Sequence, residues 1–211
     1  MVTEDEGRPG GVVPVLGVPD DSHVTAVPYA ALPGQLKAEL AGQVARLGYL
    51  GGFFSLAAHQ PGPLLHFNRF TEALKDALPG RLSNVVALAV AAAANNQYEL
   101  VQHIRLARSQ GIPDAWIRAA ASREAGAGGG LLPEEQEVLA LVQAAMAGVP
   151  ASAHLREVVA CLGEPAAIAV LLLLGRYVAH AMVSRVLQLG PPVPLDPPLD
   201  LTPARATRRT P

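Results

Sequence analysis

Val85-Val86-Ala87-Leu88-Ala89-Val90-Ala91-Ala92-Ala93-Ala94, continued by Asn95-Asn96-Gln97-Tyr98-Glu99-Leu100-Val101-Gln102-His103, is the stretch on which the fold turns. Its first half holds only Val, Ala and Leu. A helix with no polar face belongs inside a protein. Its second half sets a carboxylate and an imidazole four residues apart. Residues i and i+4 lie one above the other on a helix, so Glu99 and His103 share a face and can touch. Asn96 falls near the same stripe. Buried carboxylates and imidazoles are costly unless they are paired or used, which makes this group the foremost candidate site. Propensity leaves open whether the helix runs unbroken through Asn95-Asn96 or kinks there.

Working outward, helical periodicity dominates. Gln35 to Leu47 carries Leu36, Leu40, Val44 and Leu47 as one stripe. Leu50 to His59 reads as a short helix. Pro63 to Leu78 reads as a third, with Leu64, Phe67, Phe70, Leu74 and Leu78 inward, closed by Pro79-Gly80. Ser83 is the expected N-cap of the Val/Ala/Leu helix. Gly111 ends the helix bearing His103, and Pro113-Asp114 opens a short one through Trp116. Pro133 starts a helix to Met146, with Glu134 and Glu135 in the first turn where the helix dipole favours acids. Ser152 to Leu162 and Glu164 to Leu189 complete the set, and no strand alternation of useful length is present. The reading is all-α: residues 34–190 form the helical domain, residues 1–33 an extended arm that wraps the domain or is partly disordered, and residues 191–211 a Pro-rich tail.

The chain has 211 residues, enough for one domain with a sizeable core. Half of them are apolar but 4% are aromatic, and small straight-chain residues favour close-packed helices. The net charge of −2 provides no basic field for nucleic acid, and Arg205, Arg208 and Arg209 sit in the tail. The single cysteine, Cys161, excludes an internal disulfide, and its apolar neighbours suggest a small buried hydrophobe. The longest apolar run, Ala166 to Gly175, is too short for a bilayer, where roughly 20 residues are needed. With Glu4, Asp5 and Glu6 at its start the sequence has no signal pattern, so a cytoplasmic protein without membrane partners is expected.

Several segments together resemble the carboxymuconolactone decarboxylase family, within the alkylhydroperoxidase-D-like superfamily. They are Leu56-Ala57-Ala58-His59-Gln60-Pro61-Gly62, Gly80-Arg81-Leu82-Ser83, Tyr98-Glu99 with His103, Ala107 and Gly111, and Leu173-Leu174-Gly175-Arg176-Tyr177 followed by Leu187 and Gly190. The resemblance implies an oligomeric helical bundle, assembling as a trimer or hexamer with sites near subunit contacts. It departs from the peroxidase branch at the decisive place. Where that branch has Cys-x-x-Cys-x-x-x-His, this chain has Asn96, Glu99 and His103, with Asn84 in place of the upstream glutamate. Without vicinal thiols a dithiol peroxide-reducing cycle is chemically unavailable.

The resemblance and the residues together imply cofactor-free acid–base chemistry on a small carboxylated or lactone-type substrate, by decarboxylation or enolate protonation. In this reading His103 is the acid, held charged by Glu99, and His103→Gln abolishes turnover without unfolding the chain. Asn96 donates to developing oxyanion charge. Arg176, His180 and Ser184 follow i, i+4, i+8 spacing on the last helix, where Arg176 binds a substrate carboxylate and His180 assists proton movement. The plainer readings are an exposed Glu–His pair and polar residues lining a subunit contact. His59 suits a helix end, His66 sits beside Phe67, and His23 and His154 carry little signal. No metal-ligand spacing is present and no cofactor is implied, and the run Gly126 to Gly130 lacks a Walker lysine. Two other functions compete: a peroxidase-related protein using Cys161 with an external thiol, and a non-catalytic oligomeric scaffold or ligand-binding protein. A closed pocket holding Glu99 and His103 favours an enzyme; full exposure favours the scaffold.

Overall fold

The computed structural model describes residues 12–123 and 130–201. Glu4, Asp5 and Glu6, the glycine-rich connector up to residue 129, and Arg205, Arg208 and Arg209 lie outside the described residues. The elements in order are β1 (Val15–Leu16), a single 3-10 turn (Tyr29–Ala31), α1 (Gly34–Leu47), β2 (Leu50–Gly51) and α2 (Gly52–Ala57). Then come α3 (Pro61–Asp76), α4 (Leu82–Ala93), α5 (Gln97–Ser109), α6 (Asp114–Ala120), α7 (Pro133–Met146), α8 (Ser152–Leu162) and α9 (Glu164–Val186).

The Val/Ala/Leu helix α4 is the axis of the bundle. It packs against α5, α6, α7 and α9, and Leu82 together with every residue from Asn84 to Ala92 is buried, as a helix without a polar face requires. Around it lies one apolar core. A second core joins α1, α2 and α3 to the arm, with Tyr98 and Leu189 among its buried members. The arm crosses this second core. β1 pairs in parallel with β2, Val15 opposite Leu50 and Leu16 opposite Gly51. Ser55 Oγ donates to Val27 O at 2.8 Å, and His59 Nε2 lies 2.8 Å from Thr25 O. Gly17 has φ +86°, and a Cβ there would stand 2.7 Å from Gly190 O, whose own N–H donates to Gly17 O. That close approach of the arm to the end of the domain needs a residue without a side chain.

The chain breaks at Asn95. Its φ is 53°, a left-handed conformation that asparagine tolerates better than most residues. Asn96 then caps α5, its side-chain oxygen accepting from Glu99 N at 3.3 Å. This break places Glu99 in the first turn of α5, where the helix dipole stabilises a carboxylate.

Several local expectations need correction. Ser83 does not cap α4: the helix starts at Leu82, and the Ser83 hydroxyl donates to Gly80 O at 3.3 Å. The segment read as a helix from Leu50 opens as a two-residue strand because the arm pairs with it. Phe70 is 41% exposed, since α3 turns Asn68 and Thr71 inward instead, where each finds a polar partner. Cys161 is exposed rather than buried, because α8 lies on the outside and buries fully only Val158.

Away from the site, Glu135 fastens three helices. Its carboxylate, 1% exposed, accepts from Trp116 Nε1 and from Leu132 N, both at 2.8 Å, and stands 3.0 Å from Arg81 Nε. By length and composition α9 is long and apolar enough to cross a membrane. Here it packs against α3, α4 and α8 and turns Arg176 and His180 inward.

Candidate active site

The seam between the two cores opens into a cavity of about 540 Å3, and Glu99, His103, Arg176, Tyr177 and His180 line it. Three helices supply the polar groups: α5 gives Glu99 and His103, α9 gives Arg176 and His180 one turn apart, and α3 gives Thr71. Glu99, 3% exposed, is the hub. Its Oε1 is 2.7 Å from His180 Nδ1, 3.4 Å from Arg176 Nη1 and 4.0 Å from His103 Nε2. Its Oε2 accepts from Asn96 Nδ2 at 3.2 Å.

Each cation or ring is itself fixed. Arg176 Nε donates to Thr71 Oγ1 at 2.7 Å, and that hydroxyl donates onward to Phe67 O at 2.8 Å. The guanidinium lies over the rings of Phe67 and Tyr177, at 4.8 and 4.5 Å from their centres, where the ring faces attract positive charge. His180 packs on Phe53 with ring centres 3.7 Å apart, and Ser184 Oγ is 3.4 Å from its Nδ1. His103 meets Tyr177 edge-on, and its buried Nδ1 has no hydrogen-bond partner.

Of the residues singled out in the sequence, Glu99, His103, Arg176 and His180 do converge on one cavity. Asn96 stands behind Glu99, capping α5 and holding the carboxylate rather than lining the cavity. Asn84 lies at the cavity edge, donating to Gln110 Oε1 at 2.8 Å. His59 holds the arm, and Cys161 is on an outer helix away from the cavity. Among the described residues no group of three His, Cys, Asp or Glu side chains is arranged to hold a metal ion. Sequence spacing missed Thr71 and Phe67 as supports of Arg176; their only signal is a threonine within the inward stripe of α3.

The pairing within the site differs from the sequence expectation. The imidazole in hydrogen-bond contact with Glu99 belongs to His180, and His103 is a longer 4.0 Å away. Burial pushes the His103 ring down to about 3, against the pull of Glu99, and so favours its neutral form. Burial lowers His180 too, opposed by the charge and hydrogen bond of Glu99. For Glu99 burial acts to raise the carboxyl, but His180, His103 and Arg176 outweigh it and hold the group below the usual carboxylate range. Burial raises Tyr98 and Tyr177, keeping both phenols neutral.

These directions fix an acid sensitivity. A histidine whose folded pKa is depressed contributes stability that is present above its unfolded value and lost as pH falls toward the folded one. For His103 the window runs from the ordinary 6.5 down to about 3. Within it the unfolded chain takes up a proton that the folded chain refuses, and this one group costs up to about 1.4 kcal/mol per pH unit of acidification. Urea unfolding at stepped pH is expected to show that slope, and His103→Gln is expected to flatten it. A variant with the same slope would mean that His103 takes up its proton equally in both states.

The family model of the carboxymuconolactone decarboxylase family matches residues 64–130, which include Glu99 and His103. No curated protein matches the chain. Among solved structures, an uncharacterised peroxidase-related protein from Ralstonia eutropha JMP134, described as an alkylhydroperoxidase AhpD core, is similar in fold with a TM-score of 0.69. It is 16% identical, over 81% of this chain and 92% of that one. The debrominase Bmp8, in complex with 2,3,4-tribromopyrrole, has a TM-score of 0.70 at 18% identity, over 81% of this chain and 91% of that one. The chain thus shares an all-helical fold with these proteins and, across α3 to α6, matches the carboxymuconolactone decarboxylase family model, while its single cysteine leaves it without a Cys-x-x-Cys motif.

Proposed function

We propose that this protein is a cofactor-free acid–base enzyme of the decarboxylase type, acting on a small carboxylated or lactone-type molecule. The observation that carries the reading is the buried 2.7 Å contact between Glu99 and His180 Nδ1 on the wall of a cavity large enough for such a ligand. A carboxylate that accepts from Nδ1–H orients the ring, leaves the Nε2 lone pair for the substrate, and stabilises the imidazolium once a proton arrives. Arg176 supplies a buried, fixed cation on the cavity wall, already partly neutralised by Glu99.

The chemistry balances without an external reagent. The bond between the substrate carbon and its carboxylate breaks, the electron pair passes into the adjacent unsaturated carbonyl system, and carbon dioxide leaves. The resulting enolate-like carbon takes a proton from His180 Nε2. In the empty cavity burial disfavours the charged ring. An arriving carboxylate adds a second negative charge near it and restores the proton. Neutral His103, on the same cavity wall, donates a hydrogen bond toward developing oxygen charge. The burial of Glu99, Arg176 and His180 on the wall of this cavity favours this reading over an inert scaffold.

Small carboxylic acids and lactones screened by thermal shift provide the test. A binder present at a hundred times its Kd stabilises the native state by about 2.7 kcal/mol, and for carboxylates the shift is expected to vanish in Arg176→Met, which removes the cation that would hold them. If no carboxylate or lactone raises the melting temperature and none is turned over, the proposal fails.

A further inference from the structure

Tyr98 stands beside Glu99 and His180, and the proposed chemistry leaves its hydroxyl unused. The ring is buried, and its centre lies 6.0 Å from that of His180 on the same cavity. Phe53 N–H donates to its Oη at 3.3 Å. That N–H sits in the first turn of α2, where no helical acceptor is within reach. Among the described residues nothing accepts from the phenol in return. A buried O–H without an acceptor is costly. Anchoring α2 explains the bond that Tyr98 receives but not the donor left over. An acceptor atom on a ligand would explain it.

The phenol is also held in place. A Cβ on Gly17 would stand 3.1 Å from Tyr98 Cε2, and one on Gly51 would stand 2.5 Å from Oη. Leu16 pairs with Gly51, so the β1–β2 contact brings both glycines against the ring. Gly51 itself lines the cavity. Its backbone does not demand a glycine, since φ −67° and ψ 145° are open to most residues. What demands it is the room beside the hydroxyl. A side chain there would cover the group or push it aside. Burial raises the phenol, so it stays neutral and keeps the hydrogen it has to give.

We infer that Tyr98 Oη is a specificity-determining donor of this cavity, giving a hydrogen bond to a carbonyl or lactone oxygen of the bound acid from a position set by Gly17 and Gly51. This rests on the reading of the cavity as a carboxylate or lactone site, and adds a requirement to it. An acid that bears such an oxygen is preferred over a similar carbon skeleton without one, because the bare skeleton leaves the buried O–H unpaired. It also gives the arm a task, which is to seat the donor.

Calorimetric titration of the full chain with two pairs of acids tests the assignment: levulinate against valerate, and paraconate against cyclopentanecarboxylate. In each pair only the first member carries a carbonyl or lactone oxygen besides its carboxylate. The wild type is expected to bind that member about five- to tenfold more tightly, the worth of one hydrogen bond. Tyr98→Phe removes the O–H and also leaves Phe53 N–H without its acceptor. The second effect falls on both members of a pair alike, so the affinity ratio reports the ligand contact alone. In Tyr98→Phe the ratio is expected to fall to about one while valerate still binds. Gly51→Ala keeps the phenol, sets a methyl group where the ligand oxygen would approach, and is expected to lower the ratio too. An unchanged ratio in Tyr98→Phe, or a wild type that binds both members of each pair equally, would overturn the donor role and leave the carboxylate site standing. If none of the four acids binds, the proposed function fails and the donor role fails with it.

Discussion

Replacing His180 with asparagine is expected to lower turnover by about 10²- to 10⁴-fold, the range that general acid–base catalysis supplies. Asparagine can set its Nδ2 where the ring has Nδ1, keep the hydrogen bond to Glu99, and present nothing that accepts or delivers a proton at the Nε2 position. The melting temperature should therefore move little while the rate collapses, and ligand affinity should persist because Arg176 and the cavity walls are untouched. Steady-state kinetics on the binder found by thermal shift, with unfolding curves on the same samples, make the comparison. His103→Gln is the companion variant. It leaves the Glu99–His180 contact intact and removes a neutral donor, so a smaller loss is expected than the abolition that sequence spacing predicts. If His180→Asn retains full activity while His103→Gln loses it, proton transfer returns to His103.

Glu99→Gln is expected to destabilise the protein by about 3–5 kcal/mol, the cost of leaving one member of a buried ion pair without the other. Glutamine matches glutamate in shape, so lost packing does not account for the effect. What changes is electrostatic: the Arg176 guanidinium, 7% exposed, keeps its charge and loses its counter-ion, and His180 loses a charged acceptor. The double variant Glu99→Gln/Arg176→Met removes both charges and is expected to be more stable than Glu99→Gln alone. Chemical denaturation of the four proteins measures the cycle. A single-variant loss below about 1 kcal/mol, the size of an exposed pair, would mean that solvent already compensates the guanidinium.

Much of the framework was legible in the sequence because it depends on neighbours along the chain. Pro133 and the acids after it start α7, Ser152 starts α8, and an unbroken Val/Ala/Leu run marks α4 as the buried axis. The spacing of Glu99 and His103, and of Arg176 and His180, follows from the helical period alone. Other local choices stayed open in sequence: Asn95 reverses its backbone, and Asn96 restarts the helix, because the fold directs α5 back along α4. Phe70 and Cys161 were misread because an apolar residue on a helix shows which face it shares, not whether another element covers that face.

Helical periodicity and composition are enough to establish an all-helical chain with acid–base groups on two helices and no thiol pair. Tertiary structure alone decided which groups meet: Glu99 takes His180 from α9 at 2.7 Å and leaves its own helix neighbour His103 at 4.0 Å. The reason is geometric. Helical periodicity sets the direction of a side chain around its own axis, whereas contact between side chains on different helices depends on where those axes cross, and that follows from packing two cores against each other.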